Sequence, residues 1–325
     1  MILKKLAELW QMSYTGSMHM KKIIILSLSC LSLWAFAKDS PPIDEYKKLA
    51  DQGGEDAGFA LFMQHLSSED GKFDTEQAVR IFQTSAEKGH PFSEFMMGKA
   101  YYNGWAMKKN YAEAAKWFRM SAEKGIPPAQ YWLGICLHNG LGIQKNDVDA
   151  AQWFLKSAKQ GYPPAQRNLG LCYVDGLGVE KNAEEGVKWF KKTAENGLPD
   201  GMFFLAFHYA KGWGVKQNEA EAAKWYGKAA ISGMPDSQYF SGRCYQEGKG
   251  VDKDDVEAYA YYSLALSKNK DAQKALSTLS KEMTKQQIAE GNKRLQALKS
   301  QTKSQPQSDS AYDFEFFHRL LYHGK

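Results

Sequence analysis

Cysteine is scarce in this 325-residue chain, which has four: Cys30, Cys136, Cys172 and Cys244. Cys30 falls in an apolar N-terminal stretch, and the other three, being odd in number, exclude a complete disulfide framework. The seven histidines form no His-x-x-x-His pair and no Cys-rich ligand set, so no metal site and no cofactor site is expected. Long hydrophobic runs are also missing. The most apolar stretch, Ile23 to Phe36, is about 14 residues, short of the ~20 that a membrane-spanning helix needs. Charge of one sign is nowhere concentrated, because 42 Lys and Arg against 37 Asp and Glu are spread along the chain to a net +5. A nucleic-acid partner requires a clustered basic face and is not expected. Apolar material, by contrast, is plentiful at 43%, with nine Trp, enough for a packed body.

The apolar stretch reads as an export signal. Lys21 and Lys22 precede it, and Ala35-Phe36-Ala37 supplies small residues where a signal peptidase cuts. Translation then starts either at Met20 or at Met1 with an extended charged region. Lipoprotein cleavage at Cys30 is the weaker reading, since Ser27 stands three residues before it. No stable membrane span is expected after cleavage, and the expected location is the periplasm or the outside of the cell.

The body is periodic. Gly98, Gly134, Gly170 and Gly242 are separated by multiples of 36 residues, with Ala206 in the remaining slot, and Trp117, Trp153, Trp189, Trp225 and Tyr261 keep the same register. Such a period signals stacked supersecondary units sharing a continuous core. Six units fit without a gap: 55–90, 91–126, 127–162, 163–198, 199–234 and 235–270. Pro marks the boundaries, where its missing N–H costs least. In 127–162, Ala129, Leu133, Cys136 and Leu137 recur at helical spacing and predict an amphipathic helix A. It stops at Gly140, the first glycine of a Gly-x-Gly-aliphatic loop that recurs at 176–179, 212–215 and 248–251. Helix B starts at Asn110, Asn146, Asn182, Asn218 or Asp254, each followed three residues later by an acid, which predicts a relative of the capping box. On helix B, Ala114, Trp117, Phe118 and Ala122 share one face, and the Trp are expected in the core. The mid-helix Gly of helix A is expected to let helix B approach closely. The Cys slots, two residues after that Gly and filled by His208 in one unit, read as small buried positions.

Ala-Gln-Tyr-x-Leu-Gly at 129–134, the Gly-x-Gly loop and Ala-x-x-Trp-Phe-x-x-x-Ala-x-x-Gly in helix B resemble the Sel-1-like repeat family over residues 55–270. That family is similar to tetratricopeptide repeats. The resemblance implies an all-α fold, a right-handed superhelical solenoid of stacked antiparallel helix pairs, acting mainly as an adaptor in protein assemblies. The first unit, which lacks the paired glycines, Ala106 in place of a Gly, and Ala206 depart from the pattern. The expected layout is an N-terminal extension and cleavable signal over 1–37, a capping half-repeat over 38–54, six repeats over 55–270, capping helices over 271–299 and a disordered tail over 300–325. The last capping helix opens with a capping box at Thr284 and runs to about Leu298. Within the tail, Tyr312 to Tyr322 reads as either a short amphipathic docking helix or an unstructured segment.

Motifs for chemistry are weak. Ser85-Ala-Glu-Lys88 and Ser121-Ala-Glu-Lys124 match the Ser-x-x-Lys of penicillin-recognising enzymes, yet both sit in one repeat slot without an accompanying Ser-Asp-Asn or Lys-Thr-Gly. The Gly-x-Gly loops follow no strand and do not make a dinucleotide fingerprint. No catalytic residue is assigned. The expected partner is a protein or peptide. By similarity to tetratricopeptide repeats, the concave stripe of helix A comprises Phe95, Tyr131, Arg167, Phe203 and Tyr239 at position 5, Lys99, Ile135, Leu171, Phe207 and Arg243 at position 9, and Tyr102 and His138 at position 12. Aromatic and aliphatic residues with a few cations suit an extended peptide or an amphipathic helix. Position 5 has a second reading, packing against the neighbouring helix. The functional expectation is an exported, non-catalytic protein-interaction scaffold, with a secreted effector engaging host proteins and a β-lactam-binding or hydrolysing protein as alternatives.

Overall fold

The computed structural model describes residues 75–303, and all regular structure among them is helical. The signal, the half-repeat, the start of the first unit and residues 304–325 lie outside the described residues. The chain divides into two compact units, meeting at Asn146 and Asp147. The first holds α1 (Thr75–Glu87), α2 (Pro91–Asn103), α3 (Tyr111–Glu123) and α4 (Pro127–Asn139). The second holds α5 (Asp147–Lys159), α6 (Pro163–Asp175), α7 (Ala183–Glu195), α8 (Pro199–Lys211), α9 (Glu219–Ile231), α10 (Pro235–Glu247), α11 (Asp255–Ala265), α12 (Lys270–Glu282) and α13 (Lys285–Lys303). Within each unit each helix packs on the next as far as α12, whereas α13 lies across α11 with a lighter contact to α9. This is an all-α repeat array.

Each helix A begins with Pro after an extended residue and ends at a left-handed glycine, Gly104, Gly140, Gly176, Gly212 or Gly248. The next residue's N–H joins the glycine's on one carbonyl, as with Gly140 and Leu141 on Cys136. The second glycine has another task. A Cβ on Gly142 would lie 2.1 Å from Tyr111 of the preceding helix B, and on Gly250 2.0 Å from Glu219. Two backbones thus meet where no side chain fits. Ala106 occupies this slot with φ 52°. Left-handed backbone strains an alanine, so Ala106→Gly is expected to stabilise by about 0.5–1 kcal/mol in urea denaturation; an unchanged or lower stability would show that Ala106 carries no strain.

Helix B is capped as expected on one side only. Asn110 Oδ1 accepts from Ala112 and Glu113 N–H at 3.0 and 3.2 Å, Asp254 likewise accepts two, and Asn182 and Asn218 each accept one, from Glu185 and Glu221. The reciprocal arm of a capping box does not form. The N-cap N–H donates instead to helix A, Asn182 to the Tyr173 carbonyl at 2.7 Å and Asn218 to that of Tyr209 at 3.0 Å. This frees the third-position acid to pair one turn on, as in Glu185–Lys188 and Glu221–Lys224, both 2.8 Å. A full capping box occurs at Thr284 and Gln287. The helix it opens runs to Lys303, past Leu298 and into the stretch read as disordered. Leu295, Leu298 and Gly291 bury against α11, which gives this polar segment an apolar seam.

The core residue of each hairpin is the aromatic after the Trp. Phe118, Phe154, Phe190 and Tyr262 are among the largest fully buried side chains. The Phe118 ring fills the space a Cβ on Gly98 would need, and Phe190 and Tyr262 do the same at Gly170 and Gly242. Trp117, Trp153 and Trp225 are only half-buried. The expectation that the Trp lie in the core is corrected for these three, which flank it, whereas Trp189 is buried as expected. Between repeats, a Gln amide donates to a helix B carbonyl, Gln130 to Ala122 at 3.2 Å and Gln238 to Ala230 at 3.1 Å.

Candidate protein-interaction surface

Position 5 of helix A belongs to the packing. Tyr131, Arg167 and Phe203 are 1%, 4% and 1% exposed, so these three of the twelve expected contact residues do not present a surface. The physical reason is the close stacking of repeats: Phe203 lies against Phe240 of the next helix A, 5.8 Å between rings, and against Tyr226 at 5.9 Å. Arg167 donates to Asp200 Oδ2 at 2.8 Å and to Asn168 Oδ1 at 3.0 Å. Phe95 and Tyr239 are half-buried, the first against Phe118, the second against Phe240 and Tyr262.

Positions 9 and 12 are more open. Leu171, Phe207, Arg243, Lys99, Tyr102 and His138 keep partial exposure, whereas Ile135 is buried. Lys99 lies with its ammonium 3.8 Å from the Trp132 ring centroid, and burial lowers its pKa to about 8. Tyr102 packs edge-on to the same indole at 4.8 Å. In the second unit Phe207 meets Trp213 edge-on at 5.5 Å, and Trp213 itself is 53% exposed. Its place is fixed from below, because buried His208 donates through Nδ1 to the Trp213 carbonyl at 2.8 Å. Burial lowers the His208 pKa, leaving a neutral ring suited to that role. Arg243 is held by Glu247 through two hydrogen bonds, 2.9 and 2.7 Å. The two open patches, Lys99–Tyr102–Trp132 and Phe207–Trp213, belong to different units.

The Ser-x-x-Lys motif is occupied structurally. Ser121 is buried and donates to the Pro91 carbonyl at 2.6 Å, while Lys124 donates to the Gly89 carbonyl at 2.6 Å and pairs with buried Glu94 at 2.5 Å. The motif joins helices rather than forming a nucleophile–base pair. Cys136 and Cys172 are buried and Cys244 half-buried, all three free, and burial pushes their thiols up to about 12, 12 and 11. They stay protonated and unreactive at neutral pH. No His/Cys/Asp/Glu group among the described residues has the arrangement of a metal site, and no helix there is long and apolar enough to cross a membrane.

The Sel1 repeat model matches residues 67–90, 91–126, 127–162, 163–198, 199–234 and 235–270. The chain belongs to the Sel1 repeat family. Two solved structures carry the same Sel1 repeat fold. One is c5321, a protective antigen present in uropathogenic Escherichia coli strains, 27% identical with a TM-score of 0.70 over 88% of this chain. The match spans 61% of that protein's length. The other is a Sel1 repeat protein from Oxalobacter formigenes, 28% identical with a TM-score of 0.61 over 75% of this chain and 98% of the other. No curated protein matched. Within the Sel1 frame, the residue that sequence reasoning passed over is Trp213. The slot that follows the first loop glycine holds Trp105, Leu141, Leu177 and Lys249 in other repeats; Trp105 packs on its hairpin's core, whereas Trp213 is exposed, a difference the sequence pattern alone does not mark.

Proposed function

We propose that the chain is an exported, non-catalytic scaffold that binds an extended or helical segment of another protein along the A helices of its second unit. The observation that carries the reading is the Phe207–Trp213 pair, in which an exposed loop indole rests edge-on against a half-buried ring of α8. Indole anchors of this kind dominate binding energy where they are found. Export rests on the charged, apolar and small-residue pattern of residues 21–37. The likeness to a protective antigen supports a protein that meets other molecules outside the cytoplasm. The placement of Ser121 and Lys124 in structural contacts argues against the β-lactam alternative.

A single experiment tests both parts. Tagged full-length chain is expressed in a Gram-negative host, recovered from the periplasm and medium, sequenced from its N-terminus and used to capture partners. The expected mature start is Lys38, and the expected effect of Trp213→Ala is a loss of about tenfold or more in partner affinity with the fold intact. Retention in the cytoplasm with the N-terminus uncut overturns export, and undiminished capture by the variant overturns the surface.

A further inference from the structure

The B helices carry a second periodic surface. In three successive repeats of the second unit a lysine one turn after the Trp lays its ammonium over the indole: Lys156 on Trp153, Lys192 on Trp189 and Lys228 on Trp225, at 3.8, 4.0 and 4.1 Å from the ring centroids. Lys188 and Lys224 on the same helices have glutamate partners, but Lys156, Lys192 and Lys228 make no direct ion pair among the described residues, although Glu221, which accepts from Trp225 Nε1 at 3.1 Å, lies near Lys228. Trp189 is 7% exposed, and its Nε1–H is buried without an acceptor. The last repeat differs. There Tyr261 takes the Trp slot, Leu264 takes the Lys slot, and both are covered by Leu295 and Leu298 of α13. The same cluster includes Ala230 of α9, two residues beyond Lys228, so α13 already reaches the preceding repeat.

We propose that residues 309–322 of this chain continue that cover, seating an aromatic side chain on half-buried Trp225 and carboxylates on Lys228 and Lys192. The segment alternates the two chemistries needed: Asp309, Asp313 and Glu315 are interleaved with Tyr312, Phe314, Phe316 and Phe317. Eight residues lie between Lys303 and Tyr312, a chain of nine steps. At ~3.3 Å per residue they reach about 30 Å, whereas packed helices lie roughly 10 Å apart, so both Trp–Lys pairs are within range. Carboxylates that meet cations beside an aromatic wall attract them more strongly than in bulk water, because the local dielectric is lower.

The test is carbodiimide cross-linking of the full chain, using an equal mixture of unlabelled and nitrogen-15-labelled protein and peptide mass spectrometry. Asp313 or Glu315 is expected to join Lys228 or Lys192 within one molecule. Phe314→Ser with Phe317→Ser is expected to reduce those links about tenfold, the loss of aromatic anchors, while Glu221–Lys224 links stay constant as the internal control. Links between labelled and unlabelled chains would assign the surface to a second copy and overturn the proposal. So would links spread evenly over lysines elsewhere, no links from the segment, or links that survive the double substitution.

Discussion

Replacing Gly178 by alanine is expected to open the junction between two repeats, while the same change at Gly197 is not. Both glycines are left-handed, at φ 72° and 86°. The surroundings decide the difference: a Cβ on Gly178 would lie 1.9 Å from the Asp147 carbonyl oxygen, whereas nothing lies within 4 Å of one on Gly197. Backbone cannot move aside as a side-chain tip can. Strain and overpacking together put the cost of Gly178→Ala at roughly 3 kcal/mol or more, against about 1–2 kcal/mol for the left-handed strain alone in Gly197→Ala. Urea denaturation of the two variants compares them, and hydrogen exchange locates the damage in the first turn of α5 and the loop at 176–179. Equal costs would mean that the loop does not press on the preceding helix.

The second large effect separates neighbours in sequence. Phe118→Ala is expected to cost about 3–5 kcal/mol, as truncation of a fully buried ring does, because it empties the space beneath Gly98 and removes stacking on Trp132, 5.9 Å away. Trp117→Ala removes a larger side chain but a half-buried one, and about 1–2 kcal/mol is expected, the range of ordinary substitutions. In an array whose units touch only their neighbours, the Phe118 variant should melt its own hairpin first. Proteolysis cutting within α2 and α3 ahead of the second unit would report that. If the Trp variant is the less stable of the two, the assignment of the core is reversed.

These two contrasts also mark how far the sequence could be read. The 36-residue period, the proline starts, the glycine stops and the Asn caps are local features, each set by backbone chemistry within a few residues, and they place every helix from α2 to α11. Position 5 of helix A was harder, because Tyr131, Arg167 and Phe203 have the composition of a binding stripe and the burial of a core. Their fate is set by the next repeat, with Asp200 drawing in Arg167 and Phe240 closing over Phe203. The capping-box acids erred for the same reason: the N-cap N–H is claimed by a carbonyl of helix A nine residues earlier in the chain, which no short motif records. Trp213 was visible as a letter but not as a surface. It sits between two left-handed glycines, as half-buried Leu141 and Leu177 do, and His208 holds its carbonyl in place.

The paired glycines also govern how such an array can change over generations. Because the second glycine of one loop rests on the first turn of the helix B before it, the fit of any module is decided by its upstream neighbour, and all modules share the same mating surfaces. Duplication or loss of a whole 36-residue step recreates every junction, whereas an insertion of any other length sets a side chain against backbone. Array length is therefore free to drift by integral steps, and the seam between modules is the part on which selection acts hardest.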